Sequence, residues 1–122
     1  MQDFTKMRSW IAARDFFVEV YDVTKSFPRE ELFGFTSQLR RASRSVAANI
    51  AEGSGYNGEL DSARFYRTGF GSSSECYSDL HLARAVDLLS CRDFDRLESK
   101  LLPARRQLSR LIATIDARHR RR

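Results

Sequence analysis

Residues 39–53 read LRRASRSVAANIAEG, and Gly71, eighteen residues beyond Gly53, opens the run GSSSE. Ser45, Asn49 and Glu52 fall at i, i+4 and i+7, so they share one face of a helix. Ala42, Val46 and Ile50 lie close to that stripe, while Ala47, Ala48 and Ala51 keep the other faces thin. A solvated surface helix has no need of so many small residues beside an Asn and a Glu. The pattern implies close helix packing around a few polar groups.

Helical periodicity extends outward from this segment. Trp10, Phe17, Tyr21 and Thr24 follow steps of seven, four and three, with Ala13 and Val20 between them. Phe35, Leu39, Ala42, Val46, Asn49 and Gly53 alternate in fours and threes, as do Phe65, Gly69, Ser72, Cys76, Asp79, Ala83 and Val86. Phe94, Leu97, Leu101, Ala104, Leu108, Leu111 and Ile115 form the cleanest stripe. Antiparallel bundle helices bury such seams. No sustained period-two alternation argues for a sheet.

The breaks between stripes are legible. Pro28 fits a first helical turn, with Glu30 and Glu31 at the positive end of the helix dipole. Gly34 suggests a break at 34–36, with Thr36 or Ser37 capping the main helix. GSGYNG at 53–58 is a loop or cap signal. Ser90 or Asp93 is placed to cap a fourth helix. Pro103 inside the fourth stripe predicts a bend or restart near 99–103. Gly69 and Gly71 each cost roughly 1 kcal/mol against Ala inside a helix. Close backbone approach is the expected compensation, with Gly69, Gly71 and Ser72 to Ser74 packed on Ala47, Ala48 and Ala51. Phe65 and Phe70 supply bulk beside that patch, with Tyr66 one position off the seam.

A chain of 122 residues is one domain's worth and builds a core without staples. The polar start MQDFTKMRSW has no apolar stretch of signal length, and no run approaches a membrane span. The expected location is therefore cytoplasmic. Cys76 and Cys91, if on one helix, stand about 22 Å apart, beyond disulfide reach. Both are expected to be reduced, partly buried thiols. The formal net charge is +5, and residues 93–122 alone, with nine basic and four acidic groups, equal that excess.

Dedicated chemistry finds little support. His81 and His119 have no ligand-spaced partners, so neither metal nor cofactor is expected. There is no GxSxG elbow, P-loop or dinucleotide fingerprint. Glu52, Glu75 and Asn49 are the candidates for a polar site. Two carboxylates do acid–base work only if brought together and desolvated, and their positions along antiparallel helices need not be level. Ser45, Asn49, Glu52 and Glu75 are read instead as structural or interface polar groups, and the chain as non-enzymatic. Arg40, Arg41 and Arg44 on the second helix, and Arg105, Arg106, Arg110 and Arg118 on the fourth, offer the charge density that phosphate attraction needs.

Trp10 with Ala13, Tyr21 to Thr24, Phe27-Pro28 with Glu31, Gln38 to Ala42, Asn49 to Gly53, and Gly71-Ser72 with Glu75 together carry a resemblance. The chain resembles the small four-helix-bundle proteins encoded in intervening sequences of bacterial 23S rRNA genes. That family includes the accessory bundle protein of diversity-generating retroelements. The resemblance implies a homo-oligomer, a ring-shaped pentamer first, and a nucleic-acid partner, ribosomal or retroelement RNA, or else a reverse transcriptase. Tyr56 stands where a basic residue is common in the family, and Phe70 adds bulk before Gly71. The first departure weakens a phosphate role for the loop at 53–58.

The reading is thus an all-α, up-down-up-down antiparallel four-helix bundle spanning 1–122. Its helices are expected near 5–26, 29–54, 59–90 and 93–117, with 118–122 a frayed basic tail. The expected function is nucleic-acid binding, structured RNA above all, through phosphate contacts. The alternative is a protein-interaction scaffold, such as an accessory subunit of a reverse transcriptase.

Overall fold

A computed structural model describes residues 3–120. Four helices form an all-α bundle: α1 Arg8–Thr24, α2 Ser37–Ser54, α3 Glu59–Ala85 and α4 Cys91–His119. Each helix packs on its chain neighbours, and α4 closes the ring against α1. Cross-helix bonds fix the directions. Ser62 bonds Gly53, Ser72 meets Ser45, and Glu75 meets Gln38, so α3 descends as α2 rises. Tyr77–Glu98 and Arg67–Asp116 do the same for α3 and α4. Arg40 reaches Thr24 across α1 and α2.

The helix ends follow local chemistry. A 3-10 turn, Phe4–Lys6, precedes α1, with Asp3 accepting from the Thr5 backbone N–H at 3.1 Å. Pro28 disfavours helix in the residue before it, and α1 ends at Thr24. The segment expected to start the second helix is instead a 3-10 turn, Arg29–Glu31, followed by a wide turn, Leu32–Thr36, broken at Gly34 (φ −107°, ψ −115°). The break at 34–36 is therefore real, but the Thr36 side chain makes no capping bond.

Helix α3 stops at Ala85, five residues short of the expected 90. Asp87 takes a left-handed backbone, φ 58°, which Asp tolerates better than most side chains. The chain folds back so that the Leu88 and Leu89 N–H groups both donate to the Ala83 carbonyl, and Leu89 is buried. Ser90 then caps α4, accepting from the Asp93 N–H at 3.0 Å. Helix α4 does not restart at Pro103 but is continuous through it. Proline forfeits one backbone bond, and the fully buried Leu101 and Ala104 on either side hold the helix together. The helix also continues through Arg118 and His119, which were expected to fray; Arg121 and Arg122 lie outside the described residues.

Two stripes differ in phase from the expected ones. On α1 the buried set is Ser9, Ala13, Phe16, Val20, Val23 and Thr24, with Phe17 half-buried and Tyr21 exposed. On α3, Tyr66, Ser73 and Leu80 are buried in place of Phe65, Ser72 and Asp79, while Val86 is exposed. Helices α2 and α4 bury most of the expected positions, among them Leu39, Val46, Leu97, Leu101 and Leu108, but Asn49, Phe94 and Leu111 are only half-buried and Ile50 is buried in place of Asn49.

The closest backbone approach is between α2 and α3. At Gly69 an added Cβ would lie 3.3 Å from the Asn49 Cβ and 3.4 Å from the Val46 carbonyl oxygen. The glycine therefore packs on the Val46–Asn49 stripe, not on the expected alanines, and Ala48 is exposed. Gly71 has nothing within 4 Å of the same position, so its expected close approach does not occur within the chain. The tightest glycine is Gly53, in the last turn of α2 as expected. Its Cβ would fall 2.6 Å from the Tyr66 ring and 3.0 Å from the Ser62 carbonyl oxygen. We expect Gly53→Ala to destabilise the fold by about 1–3 kcal/mol despite alanine's better helix propensity. Urea denaturation of the two proteins checks this; an unchanged or raised midpoint would contradict the tight contact.

Candidate nucleic-acid interface

The arginines singled out above divide into two groups. Arg40 is bound within the fold. Its guanidinium lies 3.9 Å from the Tyr21 ring centroid, donates to the Thr24 hydroxyl at 2.9 Å and reaches the Tyr21 carbonyl at 3.4 Å. It therefore satisfies the C-terminal turn of α1, where unpaired carbonyls favour a cation. Arg105 is similarly held. It donates to Ser73 at 3.0 Å and Ser74 at 2.9 Å and stacks 4.5 Å from the Phe70 centroid. Arg118 bonds Glu59, whose other oxygen lies 3.1 Å from His119 Nε2.

Arg41, Arg44, Arg106 and Arg110 are exposed. Among the described residues none of their guanidinium groups has an ion-pair or hydrogen-bond partner. The fold does not bring all four together. Helices α2 and α4 lie diagonally across the ring, so Arg41 and Arg44 face away from Arg106 and Arg110. Arg8, at the start of α1, comes to the same end of the molecule as Arg110 and Arg118. No sequence pattern signals this grouping, because it depends on α1 and α4 running antiparallel.

Ser45, Asn49 and Glu75 make hydrogen bonds along α2 and between α2 and α3, while the Glu52 side chain makes none among the described residues. Ser45 and Ser72 hydroxyls meet at 2.8 Å, and Asn49 Nδ2 donates to the Ser45 carbonyl at 2.9 Å and to its hydroxyl at 3.1 Å. Glu75 accepts from Gln38 at 2.5 Å, at the opposite end of α2 from the exposed Glu52. Gln38 and Glu52 are fourteen residues apart on one helix, about 21 Å at 1.5 Å rise. The two carboxylates are not brought together.

Other ionisable groups serve the fold. The Arg96 hydrogen bond holds Asp22 below its ordinary value, and Arg96 also pairs with Glu19, tying α4 to α1. Burial, helped by Glu75, raises Asp79. Burial pushes the Cys76 thiol up to about 12, so it stays protonated and unreactive; Cys91, expected to be partly buried, is instead exposed, and it lies on α4 and not on the helix of Cys76. Among the described residues no group of three or more His, Cys, Asp or Glu side chains is placed to hold a metal ion. No helix there is long and apolar enough to cross a membrane.

The model of one protein family, described as 23S rRNA-intervening sequence protein, matches residues 5–110. Among solved structures, the chain is similar to a protein of unknown function from the S23 ribosomal protein family of Bacteroides thetaiotaomicron. The two share 16% identity over 85% of this chain and 97% of that one, with a TM-score of 0.75. At that identity the likeness concerns the fold alone. No curated protein matches.

Two outcomes follow from the bound charges. Arg40→Ala should cost about 1 kcal/mol through removal of the stack and its bonds, while Arg41→Ala stays within about 0.5 kcal/mol; thermal melts of both separate the roles. Glu59 is held below its ordinary value, first by the His119 bond and then by Arg118. A depressed carboxylate contributes stability that is present above its unfolded value and lost as pH falls through the folded one. In acid titrations of melting temperature, Glu59→Gln should therefore lose part of the wild-type decline below the ordinary glutamate range.

Proposed function

The chain belongs to the 23S rRNA-intervening sequence protein family, and from that premise we propose a cytoplasmic, non-enzymatic, homo-oligomeric bundle that binds structured RNA through phosphate contacts. The observation that carries this reading is the set of exposed, unpartnered arginines: Arg41 and Arg44 on α2, Arg106 and Arg110 on α4. A guanidinium free of internal bonds is available to phosphate. The separation of Glu52 from Glu75 supports a non-enzymatic role.

Assembly would bring together what one subunit keeps apart. Gly71 lies mid-helix with open space at its Cβ position, so the single chain offers nothing to offset its helix cost of roughly 1 kcal/mol. Beside it, Phe70, Ile112 and Ala113 line an open groove between α3 and α4. A neighbouring subunit's helix seated there would use both features. In a pentameric ring, five chains at +5 would carry about +25, ample for avid and salt-dependent attraction of RNA.

A second reading, a scaffold for a protein such as a reverse transcriptase, is favoured by a different surface. Phe33 is 92% exposed, and Leu32, Leu82 and Val86 are exposed at the same end of the bundle.

Light scattering of the purified protein, with and without RNA, tests both. We expect a defined oligomer that captures RNA at low salt and releases it at moderate salt. Replacing Arg41, Arg44 and Arg106 by Gln should flatten the log–log salt slope by about 0.9 for each duplex phosphate no longer neutralised. Gly71→Leu should leave the helix content intact and break the oligomer. An oligomer indifferent to RNA at low salt would sink the RNA reading and put the scaffold first.

A further inference from the structure

At the end of the bundle opposite Phe33, the start of α1, the end of α2, the start of α3 and the end of α4 surround an open cavity of about 570 Å³. We propose that this cavity is a phosphomonoester site, taking the 5′-phosphate of a nucleotide, either free or at the end of a strand. This deepens the phosphate-binding reading above and rests on it only for the strand-end source.

The lining is cationic. Arg8, Arg110 and Arg118 contribute to it, against one carboxylate, Glu59, which already bonds Arg118 and His119. Arg8 and Arg110 are exposed, and their guanidinium groups have no ion-pair or hydrogen-bond partner among the described residues. Two forked cations without internal partners suit a phosphate dianion.

The second observation is independent of charge. Ser9 lines the same cavity, is only 4% exposed, and its hydroxyl has no hydrogen-bond partner. Helical serines ordinarily donate to a carbonyl three or four residues back, as Ser43, Ser54 and Ser73 do here. Ser9 sits in the first turn of α1, and the carbonyls at those spacings belong to the preceding turn, Phe4–Lys6. A buried hydroxyl left unpaired is unfavourable; its oxygen is covered in the free protein, so a ligand oxygen would satisfy it only once a small shift of the cavity wall uncovers it.

The neighbours fit the same ligand. Gly58 caps α3 without a side-chain bond, which leaves first-turn N–H groups of α3 free of a cap beside the carboxylates of Glu59 and Asp61, and a phosphate there would compete with those two for the helix dipole. Tyr66 is buried, and burial keeps its phenol protonated and able to donate. Tyr56, at the rim, stacks on Phe65 with centroids 5.1 Å apart and remains 42% exposed. A fixed, exposed ring of this kind gives a base something to stack on.

Calorimetric titration of the full chain with adenosine 5′-monophosphate, inorganic phosphate and adenosine tests the site. Paired with it, binding of one RNA carrying either a 5′-phosphate or a 5′-hydroxyl is measured at moderate salt. We expect the monophosphate to bind and adenosine to fail. Arg8→Gln and Ser9→Ala should each weaken the monophosphate about tenfold. Ser9→Ala should keep or raise the melting temperature of the unliganded protein, since it deletes an unpaired hydroxyl; this separates a ligand role from a structural one. A tenfold preference for the phosphorylated RNA supports the strand end as the source. Equal RNA binding beside tight monophosphate binding supports the free nucleotide. Monophosphate binding with no RNA binding at all keeps the site and sinks the RNA reading. Failure of both monophosphate and inorganic phosphate at millimolar concentration, with the two RNAs bound equally, overturns the proposal.

Discussion

The close approach of α2 and α3 is the constraint on which the rest of the bundle depends. Gly53 lies against the Tyr66 ring and Gly69 against the Val46 carbonyl, and Ser45 and Ser72 join their hydroxyls between them. Each glycine costs helix propensity, yet no larger residue fits without moving backbone or an aromatic ring. So thin a seam leaves little room for large side chains, and the bulk of the core is supplied elsewhere. Phe16, Leu80, Leu97, Leu101 and Leu108 are all fully buried. The register of α2 on α3 also determines where polar groups fall. It places Asn49 beside Ser45 and Glu75 beside Gln38, and it leaves Glu52 at the far end with no carboxylate for company.

Arginine chemistry explains why the outward-facing charge is smaller than the composition implies. A guanidinium can stack on an aromatic face and donate in its plane at the same time. Arg40 does both, on Tyr21 and Thr24, and Arg105 does both, on Phe70 and Ser73. Each replaces a hydrophobic contact across a helix pair and satisfies a polar group there. Their neighbours Arg41 and Arg106, one residue on and about 100° around the helix, face solvent. Adjacent arginines in one run therefore do different work, and only the fold separates them.

The α4 stripe and most of the α2 stripe could be read directly, because their leucines and valine mark one apolar phase; on α2 the structure buries Ile50 where Asn49 was expected. The α3 stripe could not. Two heptad phases share Gly69, Cys76 and Ala83, one continuing through Phe65 and Asp79 and the other through Tyr66 and Leu80. The structure takes the second, which buries a leucine where the first would bury a carboxylate. Phe17 and Tyr21 misled in the same way on α1, since aromatic size drew attention from the smaller Phe16–Val20 phase. The fold reversal at Asp87 carries no glycine signal. The cavity at Arg8, Ser9 and Arg110 draws on residues about a hundred positions apart, which no local pattern brings together. The arginine clusters were legible as charge, but which members were free was not.

The two ends of the molecule differ in kind, and that difference bears on how its roles could coexist. One end presents Phe33, Leu32, Leu82 and Val86; the other presents Arg8, Arg110 and Arg118 around a cavity. The groove at Gly71 lies on the side, between α3 and α4. If subunits associate through that side groove under cyclic symmetry, every copy presents the same end in the same direction. The assembly would then have one cationic face and one apolar face, each multiplied by the number of subunits. The cavity and the apolar patch would face opposite ways, so a phosphate held in the one and a protein partner on the other would not compete.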